Sequence, residues 1–362
     1  MKILFLVTSL NSGGIENYLL RFLRHYDHDI TPVVLCKSGE FGDLQEEYAS
    51  IQNIQLLKTK LGFFNFGAYR DFQTYLEEEK FHAVCDFTGN FAGLVMRGAA
   101  KAGIENRISF YRGSTNRFAE TIFKRAYNTW MNTLVLKYAT SILSNSEAAF
   151  TYFFKMKDNR FQVIYNGINA SQFDLKISQA EARKELNIPE NAFVVGHTGR
   201  AHYSKNHATL IEVASILCKK YSDIYFAFAG KNTGESFNDL LKEKDLTEKL
   251  FLLGYQGNIP MVLKSFDLFF FPSVTEGQPN ALIEAMVSGL PFVASDITPI
   301  KETVPKVNHD LLFSPQDVDA FATKIEQFYL KQWKNDPQIM PEVKDKFNAE
   351  KRFGEFFEIL IK

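Results

Sequence analysis

The clearest indication of chemistry in this sequence is a pair of glutamates. Glu276 and Glu284 are separated by seven residues within the segment 271–295, which reads FPSVTEGQPNALIEAMVSGLPFVAS. The pattern predicts a strand that ends at Pro272, a glycine-containing loop, and a helix with Pro279 in its first turn. A helix that starts there directs free backbone N–H groups and a positive dipole to the carboxyl end of the strand, where an anion can be held.

The two carboxylates would repel such an anion, so hydroxyl groups suit them better. As hydrogen-bond acceptors they could bind the hydroxyls of a ribose and of a sugar. The alternative is that Glu284 is a solvated helix residue and Glu276 an ordinary loop acid. Spacing alone does not decide between these interpretations.

The elements that must position these residues alternate regularly along the chain. Short β-branched or aromatic runs precede longer amphipathic stretches, as in Lys2–Thr8 with Ile15–His25 and, in the second half, Phe193–Thr198 with His207–Tyr221. This alternation is typical of parallel βαβ units with helices on both sheet faces. We therefore predict an α/β protein of two doubly wound domains, whose ligands bind outside the carboxyl ends of the strands.

The predicted domain boundaries follow from a polar stretch without periodicity at about 166–178, which is interpreted as a linker. We expect an N-terminal domain at 1–166 and a C-terminal domain at 167–339. Residues 340–362 are predicted to form one helix with several phenylalanines available for packing, and the N-terminal domain is one candidate for the surface it covers.

The glutamate segment resembles a signature of the retaining glycosyltransferases of family 4, which have the two-domain GT-B fold. The likeness rests on the run SVTEGQPNALIEAMVSGLP, and further motifs of that family follow in order over nearly the whole chain. The resemblance implies two Rossmann-like domains that face each other across a cleft. It also implies that Glu276 contacts the transferred sugar, that Glu284 contacts the nucleoside ribose, and that Gly277, Gln278 and Asn280 help to bind the donor.

A second motif begins at Gly199, where GRAHYSKN resembles the G-R-x4-K segment of the family, whose arginine and lysine bind the diphosphate. Arg200 offers a planar fork of donors and Lys205 a compact charge. Together they could neutralise a leaving nucleoside diphosphate, where negative charge develops. Without the glutamate motif, both would more often be surface charges. Gly254 follows a predicted strand at the place where the family holds the nucleobase mainly by backbone.

Near the amino terminus, Gly13-Gly14-Ile15-Glu16 resembles the G-G-x-E element of the family. Glycines at this place let the backbone approach a ligand closely, and we expect Gly13 and Gly14 to contact the donor. The alternative is a tight strand-to-helix turn that needs glycine for conformation alone. Two glycines without a third are weak support for a nicotinamide cofactor.

One departure from the family concerns the acceptor side. Many members place a histidine after a strand of the first domain, near the transferred sugar and the acceptor, whereas the comparable stretch of this chain contains Tyr111 and Arg112. Asp86, at the end of the preceding strand, and Glu16 are further acceptor-side candidates. The histidines at positions 197, 202 and 207 are predicted to be structural.

Composition narrows the class of partner. Hydrophobic residues make up 46% and charged residues 23%, as in ordinary globular proteins. Lys plus Arg (41) nearly balance Asp plus Glu (42), which argues against a nucleic-acid partner. Three scattered cysteines without a CxxC pair indicate a reducing compartment, so a cytoplasmic location is expected.

The net charge of −1 conceals an uneven distribution. Residues 91–160 contain eleven Lys or Arg against four acids. Within them, the stretch 117–138 interleaves basic and aromatic side chains and predicts a contact with an anionic membrane. The alternative is a helix packed on the sheet with a solvated basic face. No apolar run reaches the length that spans a bilayer, so any membrane contact is expected to be peripheral, on the inner face of the plasma membrane.

The resulting prediction is a retaining hexosyltransferase of the EC 2.4 type. It would move a hexose or N-acetylhexosamine from a UDP-sugar, or alternatively a GDP-sugar, to a saccharide or lipid-linked saccharide in surface polysaccharide biosynthesis. We expect no cofactor and no metal, with no Asp-x-Asp holding a divalent cation. The alternatives are a nucleotide-sugar 2-epimerase of the same fold and a non-catalytic partner subunit.

Overall fold

The computed structural model describes residues 1–62, 65–115, 121–332 and 339–362, with the backbone alone at 234–236 and 339. The chain divides into two compact units. Unit 1 comprises Met1–Gly167 and Ala349–Lys362, and unit 2 comprises Ile168–Asn348. Each unit is built on its own parallel sheet.

The described part of unit 1 has a seven-stranded sheet in the order β3-β2-β1-β4-β5-β6-β7. Its strands are β1 Lys2–Val7, β2 Thr31–Cys36, β3 Gln55–Lys58, β4 Ala83–Asp86, β5 Asn106–Tyr111, β6 Ser141–Ser144 and β7 Phe161–Val163. Its helices are α1 Gly14–His25, α2 Gln45–Ala49, α3 Phe66–Glu79, α4 Gly93–Lys101, α5 Ile122–Tyr138, α6 Glu147–Phe153 and, from the end of the chain, α15 Ala349–Leu360.

All strand pairs of unit 1 are parallel, and β1 lies between β2 and β4, with Ile3 opposite Pro32 on one side and Ala83 on the other. Residues 3–7 are completely buried, which is why β1 reads as a continuous apolar run. Apolar clusters cover both faces of the sheet. Because the order of consecutive strands reverses between β1 and β4, the loops that follow these two strands diverge at the carboxyl edge.

The described part of unit 2 repeats the plan with six parallel strands in the order β10-β9-β8-β11-β12-β13. They are β8 Phe193–Thr198, β9 Ile224–Ala229, β10 Leu250–Gly254, β11 Leu268–Phe271, β12 Phe292–Ser295 and β13 Leu312–Phe313. The helices are α7 Gln179–Glu185, α8 His207–Lys220, α9 Thr233–Glu243, α10 Ile259–Lys264, α11 Asn280–Val287, α12 Thr298–Thr303, α13 Val318–Tyr329 and α14 Ile339–Lys346. Here the strand order reverses between β8 and β11.

The predicted fold class, α/β with two doubly wound domains, is confirmed by these two sheets. The prediction of one helix from 340 onward is wrong, because the segment forms α14 in unit 2 and α15 in unit 1. Between them the backbone turns to pair with the start of unit 2, where Ile168 N donates to Phe347 O at 2.8 Å. The boundary therefore lies after Asn348.

Helix α15 completes the core of unit 1. The Phe356 ring lies 4.7 Å from Phe22 and 5.4 Å from Phe110, centroid to centroid. Asn106 Nδ2 donates to the carbonyls of Ile359 (2.7 Å) and Leu360 (2.9 Å), which satisfies two of the carbonyls that lack a partner within the helix.

Candidate active site

The carboxyl edge of the unit 2 sheet is shaped by the loops after β8 and β11. Val274 N donates to Ser204 O at 2.9 Å, which joins the two loops. Asn206 adopts a left-handed conformation (φ +56°), and its Nδ2 donates to Pro272 O (3.1 Å) and Pro315 O (2.7 Å). The short Tyr203–Lys205 turn is thereby fixed against the loop that carries Glu276.

Lys205 and Glu276 form an ion pair at this edge although they are 71 positions apart. Lys205 Nζ lies 2.6 Å from Glu276 Oε1, and the side chains are 17% and 11% exposed. The ammonium also lies 4.9 Å from the centroid of the Phe271 ring. Because the pair is only slightly exposed, solvent screens its attraction less than at the surface, and a ligand phosphate could share the ammonium.

Glycines bring the backbone close together beside the pair. A Cβ on Gly199 would lie 3.3 Å from Lys205 Cδ, and one on Gly230 would lie 2.0 Å from Gly199 O. Gly254 has φ +64°, and its carbonyl accepts from Gly230 N at 2.7 Å. The sequence analysis did not single out Gly230 or Asn206 as site residues, although Asn206 ends the GRAHYSKN motif and Gly230 directly follows β9.

The remaining predicted donor residues lie on the same edge. Arg200 is exposed directly after Gly199, and Gln278 is buried in the loop before α11. Asn280 is the first residue of α11 and Glu284 is half-buried one turn further on, as predicted. Pro279 precedes the first helical residue rather than occupying the first turn, so the helix begins one residue later than expected. Gly277 is half-buried beside Glu276.

Two histidines pack under this edge as neutral rings. His197 is completely buried, and burial, together with His207 and Lys205, holds its pKa well below the ordinary value of 6.5. Burial and the nearby Lys205 charge lower the pKa of His207 to about 4. His202, by contrast, is exposed and its Nδ1 pairs with Ser204 Oγ at 2.9 Å. The burial of His197 and His207 favours the structural roles expected for these two, while the role expected for His202 stays a prediction.

In unit 1, the predicted glycine turn precedes α1. Gly13 is the extended residue at the start of the helix, and a Cβ there would lie 2.6 Å from Glu16 Oε2, so the glutamate folds back over it. The Glu16 carbonyl accepts from Tyr48 Oη at 2.6 Å. Gly14 is exposed, with open space where a Cβ would stand.

Asp86 is buried in an ion pair. It has no exposed surface, and its Oδ2 accepts from Lys37 Nζ at 2.9 Å. The Oδ1 atom accepts from Thr88 N (2.8 Å) and Thr88 Oγ1 (2.6 Å). Lys37 also donates to Phe91 O at 3.0 Å. With both carboxylate oxygens occupied, the geometry favours a structural role for Asp86 over contact with an acceptor.

Tyr111 and Arg112, the two residues at the place of the expected histidine, differ in surroundings. Tyr111 is buried, and its Oη donates to Asn132 Oδ1 at 2.9 Å. Arg112 stacks on two rings, with Cζ 3.9 Å from the centroid of Tyr18 and 4.9 Å from that of Phe110. Burial lowers the pKa of Arg112 to about 10, so the guanidinium remains charged at neutral pH.

The predicted membrane stretch 117–138 falls partly outside the described residues, because 116–120 are not described. Its remainder is α5, whose first turn projects Ile122 and Phe123 into solvent with 86% and 87% of their surface exposed. Lys124 and Arg125 follow them and are also exposed. No helix in the described ranges is long and apolar enough to cross a membrane.

Possible metal ligands are dispersed. Among the described residues, no group of three or more His, Cys, Asp or Glu side chains is arranged to hold a metal ion. Of the two Asp-x-Asp triplets, Asp317-Val-Asp319 begins α13, where Asp317 Oδ1 accepts from Ala320 N at 3.0 Å, and Asp27-His-Asp29 follows α1.

Comparison with known families decides what this architecture belongs to. The model described as glycosyltransferase family 4 matches residues 12–172, and the one described as glycosyl transferases group 1 matches 178–345. The chain belongs to the family 4 glycosyltransferases. The resemblance based on the glutamate motif is thus confirmed, and the protein is a transferase by family.

Relatives of this family 4 member include enzymes of polysaccharide assembly. The capsular polysaccharide biosynthesis glycosyltransferase CapH of Staphylococcus aureus is 26% identical over 305 residues, which cover 82% of each chain. An Escherichia coli UDP-Gal:α-D-GlcNAc-diphosphoundecaprenol α-1,3-galactosyltransferase is 31% identical over 173 residues, 46% of this chain and 44% of the relative. The crystal structure of Anabaena HepE in complex with UDP superposes with a TM-score of 0.83 at 19% identity, covering 99% of both chains, and shares the fold.

Proposed function

We propose that this protein transfers a hexose or N-acetylhexosamine from a UDP-sugar to a saccharide or lipid-linked saccharide, with retention at the anomeric carbon, in the synthesis of a surface polysaccharide. The observation that carries the proposal is the Lys205–Glu276 pair at the point where the strand order of unit 2 reverses. Ligands of open parallel sheets bind at such points. The functions named for relatives support a polysaccharide product.

In the proposed reaction, Arg200 and Lys205 bind the donor diphosphate, Glu276 binds the transferred sugar and Glu284 the ribose. The bond between the anomeric carbon and the diphosphate oxygen breaks while the acceptor oxygen bonds to the same face of that carbon. The proton of the acceptor hydroxyl passes to the departing phosphate oxygen. Lys205 stabilises the charge that develops on this leaving group.

UDP is the favoured donor nucleotide because the Escherichia coli relative is a UDP-Gal galactosyltransferase and the HepE crystal structure contains UDP. GDP, the alternative, is an arm of the same test. Backbone at Gly254 is proposed to face the base, since a left-handed glycine with open space around it leaves room for a ring.

The test is a donor-hydrolysis screen over UDP- and GDP-sugars, because transferases release sugar slowly to water without acceptor. We expect one UDP-sugar to be hydrolysed by the wild type and not by Glu276→Gln, with UDP binding retained by both. Release of an isomerised sugar would instead identify a 2-epimerase, and binding of neither UDP nor GDP a non-catalytic subunit.

The same assay tests independence from metal. Lys205 and Arg200 provide the positive charge that a divalent cation would otherwise supply, so turnover is expected to persist in EDTA. Loss of turnover in EDTA that magnesium or manganese restores would refute this part of the proposal.

The first turn of α5 is proposed to rest on an anionic membrane at the cytoplasmic face. Ile122 and Phe123 are almost fully exposed and are followed by two basic residues, a pattern that joins apolar insertion to attraction by acidic lipid. Sedimentation with phosphatidylglycerol vesicles should fall in Phe123→Ser and not in the control Met156→Ser, which alters another exposed apolar residue of unit 1. Equal sedimentation with phosphatidylcholine vesicles would refute the proposal.

A further inference from the structure

The carboxyl edge of unit 1 holds two buried cations with different surroundings. The charge of Lys37 is balanced by Asp86 at 2.9 Å, and its other donors reach Thr88 and Phe91. Arg112, which follows the neighbouring strand β5, is equally buried, with 7% of its surface exposed. Within the described ranges, no carboxylate is paired with its guanidinium.

Arg112 lies against two aromatic rings, and two of its three side-chain nitrogen atoms make no hydrogen bond to a described residue. The guanidinium lies over the rings of Tyr18 and Phe110. Its Nε and Nη1 atoms are buried and have no hydrogen-bond partner in the part of the chain that the structure describes. A buried donor left in this state is destabilising, and more so when it is charged. An arrangement with this cost is expected where a ligand supplies the missing acceptor.

The Arg112 guanidinium brings a positive charge of its own to this place. Glu16 and Arg21 act on it electrostatically in opposite directions, the glutamate favouring its charged form and the arginine opposing it. An anion that accepts hydrogen bonds from its Nε and Nη1 atoms is also attracted by that charge.

Polar groups of the loop after the neighbouring strand β6 lie beside Tyr111, the residue before Arg112. Asn145 N donates to Tyr111 O at 3.3 Å, which brings the loop after β6 next to the residue preceding Arg112. Asn145 Oδ1 and Ser146 Oγ are buried and also lack partners among the described residues. The Ser146 hydroxyl can donate to an anion as well.

We propose that Arg112 binds an oxyanion of the acceptor, either a phosphoryl group or a sugar carboxylate. The proposal rests on the proposed transferase function, in which Arg200 and Lys205 of unit 2 already serve the donor diphosphate. A guanidinium fork matches the paired oxygens of both groups, so the two sources share one chemistry. A diphosphate bridge to a lipid would provide the first source and a uronic acid unit the second.

The experiment saturates the protein with UDP to occupy the donor site, and then titrates inorganic pyrophosphate in one arm and glucuronate in the other. The readout is the side-chain Nε–Hε NMR signal of Arg112, assigned by its loss in Arg112→Lys. We expect saturable displacement of this signal in one arm, which identifies the source of the oxyanion. Calorimetry should show affinity for that anion at least about tenfold lower in Arg112→Met.

Matched variants separate recognition from folding. Arg97→Gln removes an exposed arginine of α4 and should leave anion affinity unchanged. Arg112→Lys keeps the positive charge but not the planar fork of donors. It should bind the anion more weakly than the wild type but more tightly than Arg112→Met. A rise in its melting temperature on addition of UDP would show that it folds.

The outcomes distinguish this inference from the proposed function. An Arg112 signal that neither anion moves, or equal anion affinity in wild type and Arg112→Lys, would overturn the role of Arg112 while UDP binding stands. Failure of the wild type to bind any nucleotide would count against the proposed function instead.

Discussion

The carboxyl edges of the two sheets use their charged residues in different ways. In unit 2, Lys205 and Glu276 come from the two loops that diverge at the strand reversal, and both keep some exposure. In unit 1, Lys37 and Asp86 pair with almost no exposure, and Arg112 stacks on aromatic rings without a carboxylate bonded to it in the described structure. A pair reachable by ligand suits chemistry, whereas a fully buried pair holds loops together.

The comparison shows that charge at a sheet edge is not by itself a sign of catalysis. Asp86 has the position of a site residue, at the end of a central strand, but its oxygens are used by Lys37 and Thr88. Exposure and remaining hydrogen-bond capacity therefore separate the two edges better than position does.

The largest effect is expected when the Lys37–Asp86 ion pair of unit 1 is broken. Lys37→Met should lower the free energy of unfolding by about 3–5 kcal/mol, because it leaves the Asp86 charge buried without its partner. Urea unfolding measures the loss, and the double variant with Asp86→Leu should recover most of it. The control Lys301→Met removes an exposed partner of Asp296 and should change stability by less than about 1 kcal/mol. A loss for Lys37→Met as small as the control's would mean that the pair does not hold the edge together.

The second effect is a dependence of unit 2 stability on pH. The pKa of His207 is about 4 in the folded chain against 6.5 for the free side chain, so the unfolded state binds the proton more tightly. The contribution of neutral His207 to the free energy of unfolding is fully present above pH 6.5. It is lost as the pH falls towards 4, and the loss amounts to at most about 3 kcal/mol. Calorimetry of His207→Phe should show a flatter decline over that window, with His28→Gln, an exposed histidine of unit 1, as control. If stability declined with falling pH as steeply in His207→Phe as in the wild type, the lowered pKa of His207 would be contradicted.

The third effect concerns catalysis at the unit 2 pair. Lys205→Met should lower kcat/KM by about 10²-fold, since in the proposed reaction its charge acts on the phosphates in both the bound and the transition state. Steady-state kinetics with the donor found by the screen measure it. Lys301→Met serves again as the matched control, and equal kinetics in the two variants would remove Lys205 from the mechanism.

The smallest effect compares two glycines. Gly230→Ala places a methyl group 2.0 Å from Gly199 O and should destabilise the chain by about 1–3 kcal/mol, whereas Gly14→Ala enters open space and should change stability by less than about 0.5 kcal/mol. Thermal unfolding of both variants checks this. Similar melting temperatures would show that the loop after β9 shifts to accommodate the methyl group without loss of stability.

Much of the fold was predictable because periodicity and the helix and strand boundaries agree along most of the chain. The sequence analysis identified neither β3 and α3 nor the elements β6, α6 and β7 of unit 1. In unit 2 it gave no prediction for α7, α12, β13 or α13. The β3 strand is short, lies at the sheet edge and is only partly buried, so its residues lack a clear alternation. The break between α14 and α15 was missed because it depends on pairing between Ile168 and Asn348, 180 positions apart.

The candidate site was predictable to different degrees in the two units. Glu276 and Lys205 were found through their motifs, and the strand reversal explains why residues so distant in sequence meet. The pairing of Asp86 with Lys37 was not predictable, because nothing local to either residue specifies the other. The burial of Arg112 was not foreseen either, since an arginine after a strand is usually solvated.

Helix α15 has a consequence for the order in which the protein is made. Its phenylalanines fill the core of unit 1, and its last carbonyls are bound by Asn106, 253 positions earlier. During synthesis on the ribosome, every residue of unit 2 emerges before this helix does. The unit that begins first therefore finishes folding last, and until then an apolar surface over α1 stays open to chaperones or to aggregation.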